Sequence, residues 1–405
     1  MPDALQIKLG ESFTKSPTTG FLPLPHRRSI LLLCVAIFFY WTALYLYVPI
    51  LPVYAQSLGA SLSLVGIIIA SYALPQLLLR IPMGVWFDAM GKRKPLVAIG
   101  IVLTSVGALG LGLAPNVWLL FLSRVITGLG GAAWAILAVY FTAYYPQDNI
   151  DRPIGIIIFV NEVALVVATF CGGVIADVWG FKYTFLGAAL LGIISLSALL
   201  LTREPTRRQV KAVSWRSFTQ VATQPILLIV SSMGILLHFT NFAGVFGFIP
   251  IYGAKIGASS TDLGIITTLV LSSSAVAALI TVHMVERWGN TFTIILGAAL
   301  MGLALLAVPF IHHIYILEAV QVVNGFGRGV LRTILMTLSI RGVAPQQQAT
   351  AMGIYQAIYA VGMLLGPLVS GFLADNQGLA SVFYLSASLC LVIAGMACLP
   401  ILPRR

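Results

Sequence analysis

Residues 52–68 read Pro52-Val-Tyr54-Ala-Gln-Ser-Leu-Gly59-Ala60-Ser61-Leu-Ser-Leu-Val-Gly66-Ile67-Ile68, and 198 positions later the chain reads Pro250-Ile-Tyr252-Gly-Ala-Lys-Ile-Gly257-Ala258-Ser259-Ser-Thr-Asp-Leu-Gly264-Ile265-Ile266. The same shift carries Asp88 and Gly91 onto Glu286 and Gly289, Gly155 onto Gly353, and Gly173 with Ala176-Asp177 onto Gly371 with Ala374-Asp375. A shift of 197 carries Gly128 and Gly130 onto Gly325 and Gly327. Apolar sequence matches itself by chance at Leu, Ile or Ala, but not repeatedly at Pro, Tyr, Gly and acidic positions. The chain is therefore two copies of one unit.

Outward from this repeat, the chain is almost entirely apolar. Of its 405 residues 59% are hydrophobic and 9% charged, and the mean hydropathy is +0.99. A water-soluble domain carries about a quarter of its residues charged, so the solvent is lipid, where the backbone must satisfy its own polar groups. A membrane barrel would show alternating stretches of about ten residues. Here the apolar runs are unbroken, near 30–52, 62–83, 95–113, 117–143, 153–175, 181–201, 225–251, 262–283, 291–311, 314–340, 350–373 and 379–399. The expectation is an all-α polytopic membrane protein with twelve transmembrane helices. Six spans return the chain to its starting side, so the two six-helix bundles are parallel repeats about a pseudo-two-fold axis along the membrane normal.

The net charge of +11 reads as topology and not as nucleic-acid binding. Seventeen Lys and Arg fall in one set of alternate segments, whereas the opposite loops hold only Lys182 and Lys255. Basic loops stay cytoplasmic, so both termini are expected in the cytoplasm of a plasma (bacterial inner) membrane. The expected organisation is a tail over 1–29, a bundle over 30–201, a basic linker over 202–224, a second bundle over 225–399 and a tail over 400–405. The polar, Pro-containing start followed by a full-length span does not suggest a cleaved leader. Cys34, Cys171, Cys390 and Cys398 lie in apolar runs without metal-ligand spacing and read as small apolar side chains. No cofactor or metal site is expected. Gly325-Phe-Gly327-Arg-Gly329 has no strand before it, which excludes a dinucleotide loop.

Three motifs resemble the major facilitator superfamily. The loop after the second run, Gly84-Val-Trp-Phe-Asp88-Ala-Met-Gly91-Lys92-Arg93-Lys94, resembles its G-x-x-x-D-R-x-G-R-K signature, with Ala89 in the place of the first basic residue. The second copy, Glu286-Arg287-Trp288-Gly289, keeps that basic residue but has Val282 where the leading Gly would be. Arg124-Val-Ile-Thr-Gly128 resembles the R-x-x-x-G of the fourth helix. Gly362-Met-Leu-Leu-Gly366-Pro367 resembles the antiporter G-x-x-x-G-P, but in span eleven; span five has Ala168-Thr169 there. The resemblance implies secondary active transport by alternating access, with no enzymatic activity. A carboxylate at a helix C-terminus is unfavourable unless another helix N-terminus or an Arg meets it. Gly84, Asp88, Gly91, Lys92, Arg93, Glu286, Arg287 and Gly289 are thus expected to form a conformational latch.

Charges inside lipid need a polar reason. Spans three, six, nine and twelve carry none in their interiors, as suits the outer helices of the resembled fold; Arg80, Arg124, Glu162, His238, Glu318, Arg328 and Arg332 lie on the others. Arg124 lies roughly 12 Å and Glu162 roughly 20 Å below the outer face at 1.5 Å per residue. Glu162, the carboxylate at mid-depth, is the candidate proton-coupling residue; pairing with Arg124 is its structural alternative. Arg124 and Arg328, with Trp41, Tyr45, Trp134, His238, Asn241 and Asn324, are the candidate solute-binding set. The first expectation is efflux of small molecules or drugs by proton exchange. The second is uptake of a small organic anion by the arginines, and an uncoupled facilitator or lipid flippase is the third. Expected partners are the small-molecule solute, a proton or other coupling ion and membrane lipid, with no nucleic acid and a monomeric chain.

Overall fold

The structure, a computed structural model, describes residues 24–79, 93–145, 151–204, 215–344 and 347–402. They form twelve helical spans. Span one is Leu24–Tyr45 continued by Leu51–Ser57, span two Leu62–Ser71 continued over 73–79, span three Lys94–Leu113, and span four Val117–Gly131 with Trp134–Thr142. Spans five and six are Asp151–Trp179 and Phe181–Leu200. A short linker helix, Trp215–Ala222, leads to span seven, Pro225–Ala243 with Ile249–Lys255. Spans eight and nine share one trace, Ser260–Ala307, broken at Gly289. Spans ten, eleven and twelve are Ile314–Ile340, Gln348–Gln377 and Ala380–Met396.

The marks of duplication in the sequence reappear as backbone geometry. Gly59 and Gly257 have φ of +87° and +94°, and Gly180 and Gly378 have +93° and +85°. A Cβ at any of these four would meet nothing within 4 Å. The left-handed turn requires glycine here, not lack of space. Spans one and seven also break at the same place. The first leaves the helix between Tyr45 and Leu51, and the second passes through a π turn, Gly244–Phe248. Pro52 and Pro250 follow these breaks. Neither can donate to the carbonyl four residues back, at Val48 and Phe246, and each ring crowds that turn.

In the first half, span one packs on spans five and six, and span three on four and six; in the second, span seven packs on ten, eleven and twelve. Two helix pairs join the halves, span five against span eight and span eleven against span two, and the duplication maps one pair onto the other. Glycines allow both approaches: a Cβ on Gly264 would lie 2.8 Å from Thr169 O, and one on Gly371 would lie 2.7 Å from Leu62 O. In lipid, where Leu gains nothing by leaving its surroundings, such small-residue contacts are what lets helices associate. Apolar side chains such as Ile99 and Val106 on span three, Leu190 and Ile193 on six, Leu303 on nine and Leu391 on twelve point outward, as a lipid-facing surface requires.

Candidate functional site

The charged residues of the spans converge between the halves. Arg328 and Arg332 are one turn apart on span ten and therefore share a face. Arg332 Nη1 lies 2.7 Å from Glu162 Oε1 on span five, so the ion pair bridges the two bundles. Arg328 Nη1 donates to Ser274 Oγ on span eight at 3.0 Å. The Tyr45 hydroxyl on span one is the common neighbour, within electrostatic reach of Arg328, Arg332, Glu162 and Arg124.

Arg124 sits in the first half. Its Nη1 donates to the Tyr47 hydroxyl at 3.2 Å, and its guanidinium carbon lies 4.4 Å from the Tyr72 ring and 5.4 Å from the Tyr47 ring. Two ring faces thus hold a buried cation without a carboxylate. Glu162 takes Arg332 as its partner and not Arg124. Periodicity places each side chain on a helix face, but not which residue faces it from a helix 170 positions away.

An aromatic wall continues from these charges. Trp134, Trp41, Tyr45 and Phe246 form a chain with ring centroids 5.0, 5.7 and 5.9 Å apart, the last contact crossing between halves. Beyond it a narrow pocket lined by Tyr45, Tyr72, Arg124, Phe242 and Phe246 encloses about 10 Å³, room for about one water. His238 stacks on Tyr359 at 3.8 Å, with its Nδ1 3.0 Å from Gly234 O. Asn324 Nδ2 donates to Gln321 Oε1 at 2.7 Å. Gln321 Nε2, Asn324 Oδ1, Asn241 Oδ1 and Trp41 Nε1 are buried without a protein partner, and such groups call for water or solute.

The face opposite the chain termini carries a second set of contacts that the motifs did not single out. Asp375 at the end of span eleven accepts from the backbone N–H groups of Leu62 and Ser63 at 3.0 and 2.8 Å. Asp177 at the end of span five accepts from Thr261 Oγ1 at 2.9 Å. One turn or two inward, the Thr169 and Thr268 hydroxyls are 2.8 Å apart. The sequence signal was the duplicated Ala-Asp pair.

Of the expected latch, Gly84, Asp88, Gly91 and Lys92 lie outside the described residues, as does Arg80. Arg93 belongs to its own bundle: its backbone N–H donates to Glu204 Oε1 at 2.6 Å and its guanidinium to Val139 O at 3.4 Å. Arg287 lies 6.0 Å from the Trp288 ring. Gly289, with φ +79°, is the turn between spans eight and nine.

Two duplicated six-helix bundles that meet over a few mid-membrane charges define a membrane transporter. The chain belongs to the Major Facilitator Superfamily, whose family model matches residues 33–255 and 231–405. Among its relatives are Multidrug resistance protein 1 of Bacillus subtilis, 24% identical over 90% of this chain and 95% of that protein, and Quinolone resistance protein NorA of Staphylococcus aureus, 24% identical over 86% and 90%. An MFS-type transporter of Methanocaldococcus jannaschii is 23% identical over 85% and 91%. A bacterial homolog of the human lysosomal transporter Spinster, in an inward-facing and unoccupied conformation, superimposes with TM-score 0.82 at 17% identity, over 93% of this chain and 97% of that one.

Proposed function

We propose that this transporter moves a small amphiphilic organic solute by alternating access, with Glu162 as the proton-carrying residue. The observation that supports it is the Glu162–Arg332 pair, a carboxylate and a guanidinium from opposite bundles 2.7 Å apart in the middle of the spans. The two side chains are 16% and 40% exposed, so separating them costs only part of the about 3–5 kcal/mol that breaking a fully buried pair would. Protonating Glu162 removes the attraction, so proton loading and movement of the halves are linked. The Lys and Arg asymmetry makes the terminal face cytoplasmic. Asp375, Asp177 and the aromatic pocket then close the outer side, and the solute enters from the cytoplasm. The multidrug and quinolone resistance proteins among the relatives favour export.

The test uses protein reconstituted in vesicles loaded with a pH-sensitive dye. Solute addition to the wild type should move protons, and an imposed pH gradient should accelerate solute flux. In Glu162→Gln flux should continue down the solute gradient but no longer respond to pH. Flux in Glu162→Gln that is still accelerated by the imposed pH gradient would rule out the assigned role.

A further inference from the structure

The charges in the centre do not balance. Arg328, Arg332 and Arg124 gather around Tyr45 with one carboxylate, Glu162, among the described residues there. Glu162 is committed to Arg332. Arg124 is held between rings and a tyrosine hydroxyl. Arg328 is only 7% exposed, yet its hydrogen bond goes to a neutral hydroxyl, Ser274 Oγ. A guanidinium has five N–H donors in a planar fork. Burying one with a single neutral acceptor is costly unless an anion completes it. A carboxylate, sulfonate or phosphate matches that fork with two parallel bonds. The Trp134–Trp41–Tyr45–Phe246 wall starts at the same Tyr45 and offers an apolar seat for the rest of the molecule.

We infer that the solute is an amphiphilic organic anion whose charged group is gripped by Arg328 and takes Arg332 over from Glu162. The Glu162 carboxylate occupies in this state the place that the solute's anionic group needs. Two anions compete for one guanidinium, whereas a proton on Glu162 leaves Arg332 free. Proton and anion therefore bind with mutual help, each raising the affinity for the other by the same factor. Cooperative binding moves both in one direction, so the chain cotransports them and does not exchange them; an inward proton gradient then drives the anion inward, which replaces the export that the relatives alone favour. The groups facing Glu162 agree with this sign. They are Arg332 and Arg328 from span ten and Tyr45 from span one. Span four carries Arg124 at mid-depth, held by Tyr47 and Tyr72; the other titratable groups of spans four, six and eight, which also pack on span five, lie toward the helix ends, at Tyr140, Lys182, Tyr183, Asp262 and His283. The inference rests on the proton-carrying role of Glu162 for its direction, but its test needs neither transport nor a gradient.

The probes are 2-naphthalenesulfonate and its cationic counterpart, 2-naphthyltrimethylammonium, which share an aromatic body. Their binding is measured by calorimetry on the full-length protein in lipid nanodiscs at about pH 5.5 and about pH 7.5, a window over which both probes keep their charge. The sulfonate should bind and the ammonium should not, with the sulfonate tighter at the lower pH. Glu162→Gln should bind the sulfonate about tenfold more tightly than wild type at the higher pH, with the pH dependence gone. Arg328→Gln should weaken it about tenfold or more, and Arg328→Lys should recover part of that. The unliganded unfolding midpoint of each variant shows that it is folded; Glu162→Gln alone decides the matter if the Arg328 variants are not. Tighter binding of the ammonium, or of the sulfonate at the higher pH, would overturn the inference and favour proton exchange through the same Glu162. Sulfonate binding unchanged in folded Arg328→Gln would overturn it as well. Loss of pH-driven flux in Glu162→Gln would meanwhile leave the proton-carrying role standing.

Discussion

Arg124 shows how a single buried cation can be kept without an acid. Its guanidinium is 5% exposed and lies over the Tyr72 ring, and a desolvated cation on an aromatic face gains about 2 kcal/mol. Tyr72→Leu should therefore lower the stability of the purified protein by about that amount, read from its thermal unfolding midpoint. Tyr72→Phe keeps the ring and should cost less than half as much; equal losses would mean that the hydroxyl and not the ring face holds the site. What could be read of these residues before any coordinates was their depth and identity. Arg124, Glu162 and Arg328 were legible because an ionisable group within an apolar run stands out. Their partners were not, since Ser274, Tyr72 and Arg332 are matched to them by the rotation of one helix against another, which no periodicity within a helix records. Arg332 in particular is legible only as a cation within a span, and span ten presents it, one turn past Arg328, to the opposite bundle.

Among elements, the two copies differ at one informative place. Span eight begins with its own capping box: Ser259 Oγ accepts from the Asp262 N–H at 3.1 Å and Asp262 accepts from the Ser259 N–H at 2.8 Å. In span two the residue at the position of Asp262 is Leu64, so Ser61 caps alone and the free N–H groups of Leu62 and Ser63 are met by Asp375 from the other half. A carboxylate on a helix N-terminus is favourable through both the dipole and the hydrogen bonds. One helix is thus fully capped only while the face away from the termini is closed. Asp375→Asn should shift the balance between the closed and open states of the face away from the termini by about fivefold, equivalent to about 1 kcal/mol at this exposed position. Asp177→Asn should shift it less, because span eight keeps its own acid. Accessibility of a cysteine in place of Thr268, whose hydroxyl lies in the same closed interface, to a membrane-impermeant maleimide reads the balance, and equal shifts in the two variants would exclude this asymmetry. The Asp177 and Asp375 pair was visible as a repeat in the sequence, but its role was not. The motif that resembles the family signature lies in sequence between spans two and three, and residues 84–92 of it are outside the described residues.

At the scale of the whole molecule, the number of spans and the two-fold plan follow from two constraints that leave strong traces in sequence. Lipid forces each crossing to be an apolar run that is helical over nearly its whole length, and duplication preserves glycines and prolines where geometry leaves no choice, as at Gly59 and Gly257 or Pro52 and Pro250. The state of the molecule leaves no such trace, because it depends on which end of the interface between halves is closed. Here the contacts at Gly173 with Gly264, Thr169 with Thr268 and Asp375 with span two all lie toward the face away from the termini. If transport requires these two helix pairs to part, then joining one pair must stop it. Thr169→Cys with Thr268→Cys, in a chain whose four native cysteines are replaced by serine or alanine, places two thiols where hydroxyls are now 2.8 Å apart. Oxidation should abolish solute flux in vesicles and reduction should restore it, while binding from the terminal face persists in the oxidised protein. Either single-cysteine chain should be unaffected by the same treatment. Flux that continues at full rate through the oxidised double variant would mean that the halves do not separate at spans five and eight, and that the solute crosses without the rocking motion on which the roles of Glu162, Asp177 and Asp375 depend.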